Sequence, residues 1–313
     1  MNATLDLPTA TPTATGTSTA TNTATATATA TTTITITATT TVPSAVTPMI
    51  DGIPLTPKQV TTIGLESLAP AATVAEERLR RKQKLAGALR IFGRFGFGEG
   101  VAGHITVRDP EFPDHFWVNP LGLSFRHMRV SDLLLVNHHG DVVYGKHSVN
   151  RAAYVLHAAV HAARPDVVAA AHAHSVYGKA FSSLGIQLDP LTQDSCAFYE
   201  QNVVIADHGG AVVLEMAAGQ DFAQGFGQNR AAIHQNHGHF TVGATVDEAA
   251  FWFVCFERCA QAQLLAMAAG TPKHIPHESA VYTRENAGSA RTGWMHFQPL
   301  WQEICRTDPA LFE

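Results

Sequence analysis

The sequence predicts an α/β domain, a sheet carrying helices on its faces, and three observations predict it. Short β-type runs alternate with amphipathic helical segments along residues 76–275, the pattern of interleaved layers. Hydrophobic residues make up 45% of the chain and charged residues 15%, enough apolar material for a core and too much for a chain disordered throughout. No internal repeat is visible, and with a biased N-terminal stretch set aside the 313 residues leave one domain of ordinary size.

The domain opens with a helix in EERLRRKQKLAGALRIFGRFG, where Leu79, Leu85, Leu89 and Phe92 recur at helical spacing until Gly93 and Gly96 interrupt. Gly96, Gly98, Gly100 and Gly103 lead into HITVRD, whose apolar and polar residues alternate as in a strand. FWVNP, LLLVN and the VVY of HGDVVYG read as further strands bounded by turn residues. Between Asn150 and Ala163, Ala153, Leu156, His157 and Val160 share one helical face. Pro165 then stops the helix near Arg164, because it restricts the residue before it and has no N–H to give. VVAAAHAHS reads as a buried strand, and AAIHQNHG as a short strand running into a turn at Gly238. A long helix follows: Thr245 and Glu248 have the spacing of a capping box, FWFVCFERCAQAQLLAMAA continues it, and Gly270 with Pro272 ends it.

Outside this region, residues 1–48 hold the Thr/Ala tract TATPTATGTSTATNTATATATATTTITITATTTV, with no charge or aromatic to anchor a core, and are expected to be a disordered tail. Residues 49–75 read as a linker. Residues 276–313 form a C-terminal extension in which Trp294, Phe297, Leu300 and Trp301 need an apolar partner, either this domain or a neighbouring subunit, where Tyr282 or His296 could reach a site.

Net charge is −5 with histidines neutral, and basic residues are scattered apart from Arg78 to Lys84, so no nucleic-acid partner is expected. Cys196, Cys255, Cys259 and Cys305 fit neither a dense disulfide framework nor a paired zinc motif, which favours a reducing compartment. No apolar window reaches the roughly 18 residues that span a bilayer, and no secretory pattern opens the chain, so a cytoplasmic protein without a membrane partner is expected.

Seventeen histidines are unusual for this length, and only spacing can separate ligands from background. His172 and His174 stand two apart in an expected strand, so alternation puts both imidazoles on one face, where two nitrogens can meet one ion. A third histidine would leave coordination positions open for water or substrate, and imidazole suits Zn, Mn, Fe or Co. The pair alone is a weak signal, since satisfied core or surface histidines give the same letters.

Context sharpens it. RPDVVAAAHAHSVYGKAFSSLG and QNHGHFTVGATVDEAAFWFVCFERCAQAQLLA resemble the metal-binding core of the class II aldolase/adducin family, a resemblance running from Glu76 to Gly270. It implies a three-layer α/β/α domain with a central, mainly antiparallel sheet flanked by helices. It also implies a divalent ion, zinc before Mn, Co or Fe, held by His172, His174 and His237. A small-molecule substrate, polarised by that ion, and a homo-oligomer, commonly a tetramer, follow from the same resemblance.

Departures from the family pattern bear on the chemistry. Its Gly-Asn phosphate loop reads Gly103-His104 here, its turn glycine matches Gly122, and its serine pair becomes Ser148-Val149. Losing an amide and a hydroxyl removes two neutral donors from an anion cradle, so a phosphorylated sugar fits poorly, with His104 as one replacement donor. Asn150 stands where the aldolases carry a proton-shuttling glutamate, and an amide cannot exchange protons near neutral pH. Glu200, His208 and Tyr199 are candidate substitutes. His239, where the family usually has an apolar residue, is a candidate catalytic group of the pocket.

Loss of CO2 or a retro-aldol cut leaves an electron pair behind without deprotonating carbon. The leading expectation is therefore a metal-dependent lyase acting on a small oxygenated acid or hydroxy-ketone through a metal-stabilised enolate. One alternative is an Fe(II)-dependent oxygenase using the same three histidines; the other is a non-catalytic, adducin-like interaction domain.

Overall fold

The computed structural model describes residues 49–50, 53–54, 68–69 and 71–313. The expected tail at 1–48 and most of the expected linker at 49–75 lie outside the described residues. The chain divides into two units after Val60. The described part of the first is an antiparallel pair, β1 (Met49–Ile50) and β2 (Ile53–Pro54); everything below concerns the second.

Helix α1 (Val74–Arg94) starts from a reciprocal capping box: Thr73 Oγ1 accepts the Glu76 N–H at 3.2 Å, and Glu76 Oε2 accepts the Thr73 N–H at 3.0 Å. Leu85, Leu89 and Phe92 are fully buried, as their spacing predicts, but Leu79 is 48% exposed. Leu79 precedes Leu85 by six positions, about 240° around the helix, and falls off the apolar stripe.

Strands β3 (His104–Arg108), β4 (Phe116–Val118), β5 (Leu134–Val136), β6 (Val142–Tyr144), β7 (Ala169–Ala173), β8 (Asn202–Ile205), β9 (Ala231–His234) and β10 (Gly238–Gly243) make one sheet in the order β6-β5-β4-β3-β7-β10-β9-β8. Neighbouring strands are antiparallel except β8 and β9, which run parallel. The α/β class and the mainly antiparallel sheet are those expected. Gly238 is the first residue of β10 rather than part of the turn, which spans 235–237.

Alternation along the strands sorts the core. Ile105, Val107, Ala169, Ala171 and Ala173 face α1, α5 (Val246–Ala269) and α7 (Ala290–Thr307), packing with Leu89, Phe253, Phe297 and Trp301. Val118, Val136, Ala170, Phe240 and Val242 face α2 (Arg151–Ala163) and α4 (Met216–Phe226) on the other side. These are the three layers. The alanines of β7 keep one face low, so α5 can lie close over the centre of the sheet. Helix α3 (Val176–Ser182) joins α5 through Phe181 and Phe256.

At the start of α5, Thr245 Oγ1 accepts the Glu248 N–H at 3.1 Å, but the Glu248 carboxylate accepts from Ala244 N at 2.7 Å and Trp252 Nε1 at 3.2 Å, so the box is not reciprocal. Beyond α6 (His277–Ala287), α7 buries Trp294, Phe297, Trp301 and Ile304 on this same domain. Gly87 makes that approach possible: a Cβ there would lie 2.5 Å from the Trp301 ring. Tyr282 is exposed on α6, and His296 stacks on Phe251 with ring centroids 4.8 Å apart.

Candidate metal centre

The three histidines of interest come from the central strand β7, the residue just past its end and the turn that precedes the neighbouring strand β10. His172 lies in β7; His174 lies one residue past its end, a small correction to the expectation that both share the strand. His237 closes the turn between β9 and β10, where Asn236 takes φ 60, a left-handed conformation that asparagine tolerates better than most residues. Gly103 at φ +93 brings the preceding loop over the end of β7; a Cβ there would lie 3.2 Å from Ala173 Cα.

The ligand-type nitrogens of His172, His174 and His237 all lie within 4.8 Å of one another. His174 Nε2 and His237 Nε2 are 3.0 Å apart. Two nitrogens bound at about 2.0–2.1 Å to a tetrahedral ion would be separated by roughly 3.3 Å, so this pair is spaced to share one. The Nδ1 of His172 donates to the main-chain oxygen of His239 at 2.9 Å. A carbonyl only accepts, so the proton is on Nδ1 and the lone pair on Nε2. That Nε2 is buried and has no hydrogen-bond partner. An ion is the partner this donor set fits.

Burial pushes the His172 imidazole well below its usual range, reinforced by the neighbouring His237, His104 and His174 rings and opposed by the bond to His239. Burial also lowers His174, with Lys179 adding to the effect, and takes His237 down to about 3, with His234 and His174 contributing. All three rings are therefore neutral lone-pair donors near pH 7.

Helix α5 anchors the segment that carries His174. Glu257, 2% exposed, accepts from Ser175 Oγ at 2.5 Å, Gly178 N at 2.7 Å and Tyr177 N at 2.9 Å, which satisfies the first turn of α3 immediately after the ligand.

A cavity of about 450 Å³ opens onto the three imidazoles. Of the other residues singled out in the sequence, Gly103, His104 and Asn150 line it. Asn150 caps α2: its Oδ1 accepts from Ala152 N at 3.0 Å and its Nδ2 donates to Val101 O at 3.3 Å. His104 is 7% exposed, and neither ring nitrogen has a hydrogen-bond partner. Behind it, Thr106 Oγ1 lies between His157 Nδ1 at 2.8 Å and His161 Nε2 at 2.9 Å, so His157 belongs to a buried polar network.

Other expectations need correction. His239 is not in the cavity: it is fully buried on the opposite face of the sheet, stacked on Phe253 and Phe256 at 3.9 and 4.6 Å, with Nε2 3.2 Å from Phe253 O. Glu200 takes φ 56 and pairs with Arg284 on α6; Tyr199 Oη lies 3.0 Å from His277 Nδ1, also on α6. Gly122 and Ser148 are exposed and do not line the cavity; their loops meet through Leu121 N and Ser148 O at 2.8 Å. The His208 side chain is outside the described residues. Two cations not singled out in the sequence also line the cavity, Arg151 at the start of α2 and Lys179 five residues after His174; Lys179 Nζ lies 2.6 Å from Glu99.

A family model described as Class II Aldolase and Adducin N-terminal domain matches residues 83–264. Decarboxylase NovR of Streptomyces niveus is 44% identical over 241 residues, 76% of this chain and 89% of that protein. A 4-hydroxy-3-prenylphenylpyruvate oxygenase/4-hydroxy-3-prenylbenzoate synthase of Streptomyces roseochromogenus subsp. oscitans is 44% identical over 243 residues, 76% of this chain and 87% of that one. The solved structure of an L-fuculose 1-phosphate aldolase from Glaciozyma antarctica PI12 superposes with TM-score 0.74 at 44% identity, covering 79% of this chain and 97% of the other.

Proposed function

The chain belongs to the class II aldolase and adducin N-terminal domain family, and from that premise we propose that it is a metal-dependent carbon–carbon lyase acting on a small oxygenated acid or hydroxy-ketone. The observation that carries this reading is the convergence of three neutral imidazoles, one pinned by a main-chain carbonyl, on an open cavity. His172, His174 and His237 would hold a divalent ion, zinc first and manganese, cobalt or iron after it, which when bound supplies Lewis acidity toward a substrate carbonyl oxygen.

The chain's own residues favour decarboxylation or aldol cleavage over reactions that begin by taking a proton from carbon. Asn150 lines the cavity but cannot serve as a base, and both ends of its amide are engaged by the α2 cap and the Val101 carbonyl. In decarboxylation or retro-aldol cleavage the broken bond leaves its electron pair on the retained fragment, and no protein base has to act on carbon. His104 offers one neutral N–H from the wall of the cavity.

Purified protein reconstituted with each metal should turn over at least one member of a panel of keto acids and hydroxy-aldehydes; silence throughout would count against the reading. Elemental analysis beside a His172→Ala, His174→Ala double variant tests the site itself, since equal metal content in the two would end the assignment.

A second reading, an Fe(II)-dependent oxygenase, is favoured by one observation, the 44% identity to a protein named as an oxygenase. Iron content and oxygen uptake on addition of a keto acid separate it from the lyase. The adducin-like, non-catalytic reading is disfavoured by the intact imidazole set. A homo-oligomer of tetramer size in the cytoplasm completes the proposal, and light scattering tests the assembly. Among the described residues no helix is long and apolar enough to cross a membrane.

A further inference from the structure

The cavity beside the three histidines has a second end whose chemistry is not that of a sugar site. It lies where α2 begins. Arg151, the first residue of that helix, lines the cavity, and among the described residues its one hydrogen bond is from Nε to Leu214 O at 3.4 Å. Among the described residues its two terminal nitrogens are therefore unclaimed and no carboxylate pairs with it. Lys179, the other cation of the cavity, is already held by Glu99. His104, in the wall of the same cavity with its ring centroid 5.9 Å from that of His172, is 7% exposed and unpartnered at both ring nitrogens. A guanidinium with unclaimed nitrogens, a helix N-terminus and an imidazole N–H lining one cavity are elements that can hold a carboxylate.

Apart from the histidines, Arg151, Asn150, Lys179 and Asn236, the remaining side chains of the wall are apolar. Val101 is 57% exposed, Val212 70% and Leu214 45%, while Leu156 and Val213 lie behind them, each 3% exposed. The two rims are tied to the helix start, Val101 through Asn150 Nδ2 at 3.3 Å and Leu214 through Arg151 Nε at 3.4 Å. A polyol lying along Val101, Val212 and Leu214 would find no side-chain donor or acceptor among them and would gain nothing from covering them. An apolar body there would cover side chains that are otherwise exposed to water.

We propose that this cavity takes a carboxylic acid bearing an aryl-sized apolar group, with the carboxylate between Arg151 and His104 and the apolar group between Val101 and Val212–Leu214. This rests on the reading of the cavity as the active site and deepens it. Arg151 is a specificity-determining residue in this arrangement, and Val212 with Leu214 select for the apolar body.

The test is equilibrium binding by calorimetry to cobalt-loaded and to metal-free protein, with phenylpyruvate, pyruvate and dihydroxyacetone phosphate as probes. Phenylpyruvate should bind about tenfold or more tightly than either of the others, and Arg151→Gln should weaken it about tenfold while Arg151→Lys recovers part of the loss. A Val212→Ser, Leu214→Ser double variant should bring phenylpyruvate down toward pyruvate and leave pyruvate unchanged. The inference is overturned if dihydroxyacetone phosphate binds best, if pyruvate and phenylpyruvate bind alike, if none binds saturably, or if Arg151→Gln changes nothing. The visible spectrum of the cobalt protein reports separately on the histidines. If that spectrum is absent or unmoved by ligand while the Arg151 dependence holds in metal-free protein, the metal reading fails and this one stands.

Discussion

His172 and His239 are joined by a hydrogen bond from the ring Nδ1 of the first to the main-chain oxygen of the second, 2.9 Å across the β7–β10 pair. Only the backbone of His239 takes part; its ring is on the far face among Phe253 and Phe256. Candidate ligand and core histidine are therefore separable by substitution. His239→Ala should lower unfolding free energy by roughly 2–4 kcal/mol and leave the metal-to-protein ratio of the folded fraction unchanged. His174→Ala should do the reverse, losing metal while the metal-free protein shifts by less than about 1 kcal/mol. Elemental analysis and urea unfolding on the same samples check both, and metal loss in His239→Ala would break the distinction.

Glu257 acts on the site from α5 by gathering Ser175, Tyr177 and Gly178 directly after His174. In Glu257→Gln one of the two oxygens becomes an NH2 that faces donors. We expect a loss of about 2 kcal/mol in stability, and faster surrender of metal to a chelator than in the unsubstituted protein. A variant that melts lower but holds metal equally well would show that this anchor serves the fold alone.

The sheet was legible wherever a strand had one dominant signal: alternation in HITVRD, an apolar run in VVAAAHAHS. β10 was not: it is six residues with a glycine at each end, and its polar members His239 and Thr241 are buried as fully as Phe240 and Val242. The three clustered histidines were legible as HxH and NHG, but the status of His239 was not. His237 and His239 have the same parity, which in a continuous strand would put them on one face. The turn at 235–237 breaks that parity before the strand begins at Gly238. Glu200 misled for a local reason, its left-handed backbone turning the side chain to Arg284. The free cation Arg151 became visible only when α2 and the 211–215 loop were brought together in space.

Acid stability should depend on Asp109, far from the site. Burial would raise its carboxyl, but Arg78 at 2.7 and 2.9 Å, the N–H groups of Glu111 and Phe112, and the Trp117 indole at 2.8 Å outweigh burial and hold it at about 2. Its folded value lies below that of an unfolded chain, near 3.9, so its stabilisation is whole above about pH 4 and disappears as pH falls toward 2. The charge contributes on the order of 2 kcal/mol. Asp109→Asn should be less stable by about that amount at pH 6, and the difference should close on acidification; a gap independent of pH between 4 and 2 would assign the effect to packing.

Asn150 separates a structural from a chemical role in the cavity wall. As the N-cap of α2 it accepts from Ala152 N, and through Nδ2 it steadies the Val101 loop. Asn150→Ala should therefore cost about 1 kcal/mol of stability and change turnover of an accepted substrate only a few-fold, because no proton passes through an amide. Asn150→Asp keeps an oxygen for the cap and should retain most of that stability, while placing a carboxylate in the cavity. If the lyase reading is right, that carboxylate adds no rate to bond cleavage and, by repelling an anionic substrate, raises KM. A large fall in kcat for Asn150→Ala with KM unchanged would instead mean that the amide contacts the reacting atoms, and the cleavage chemistry would have to be rebuilt around it.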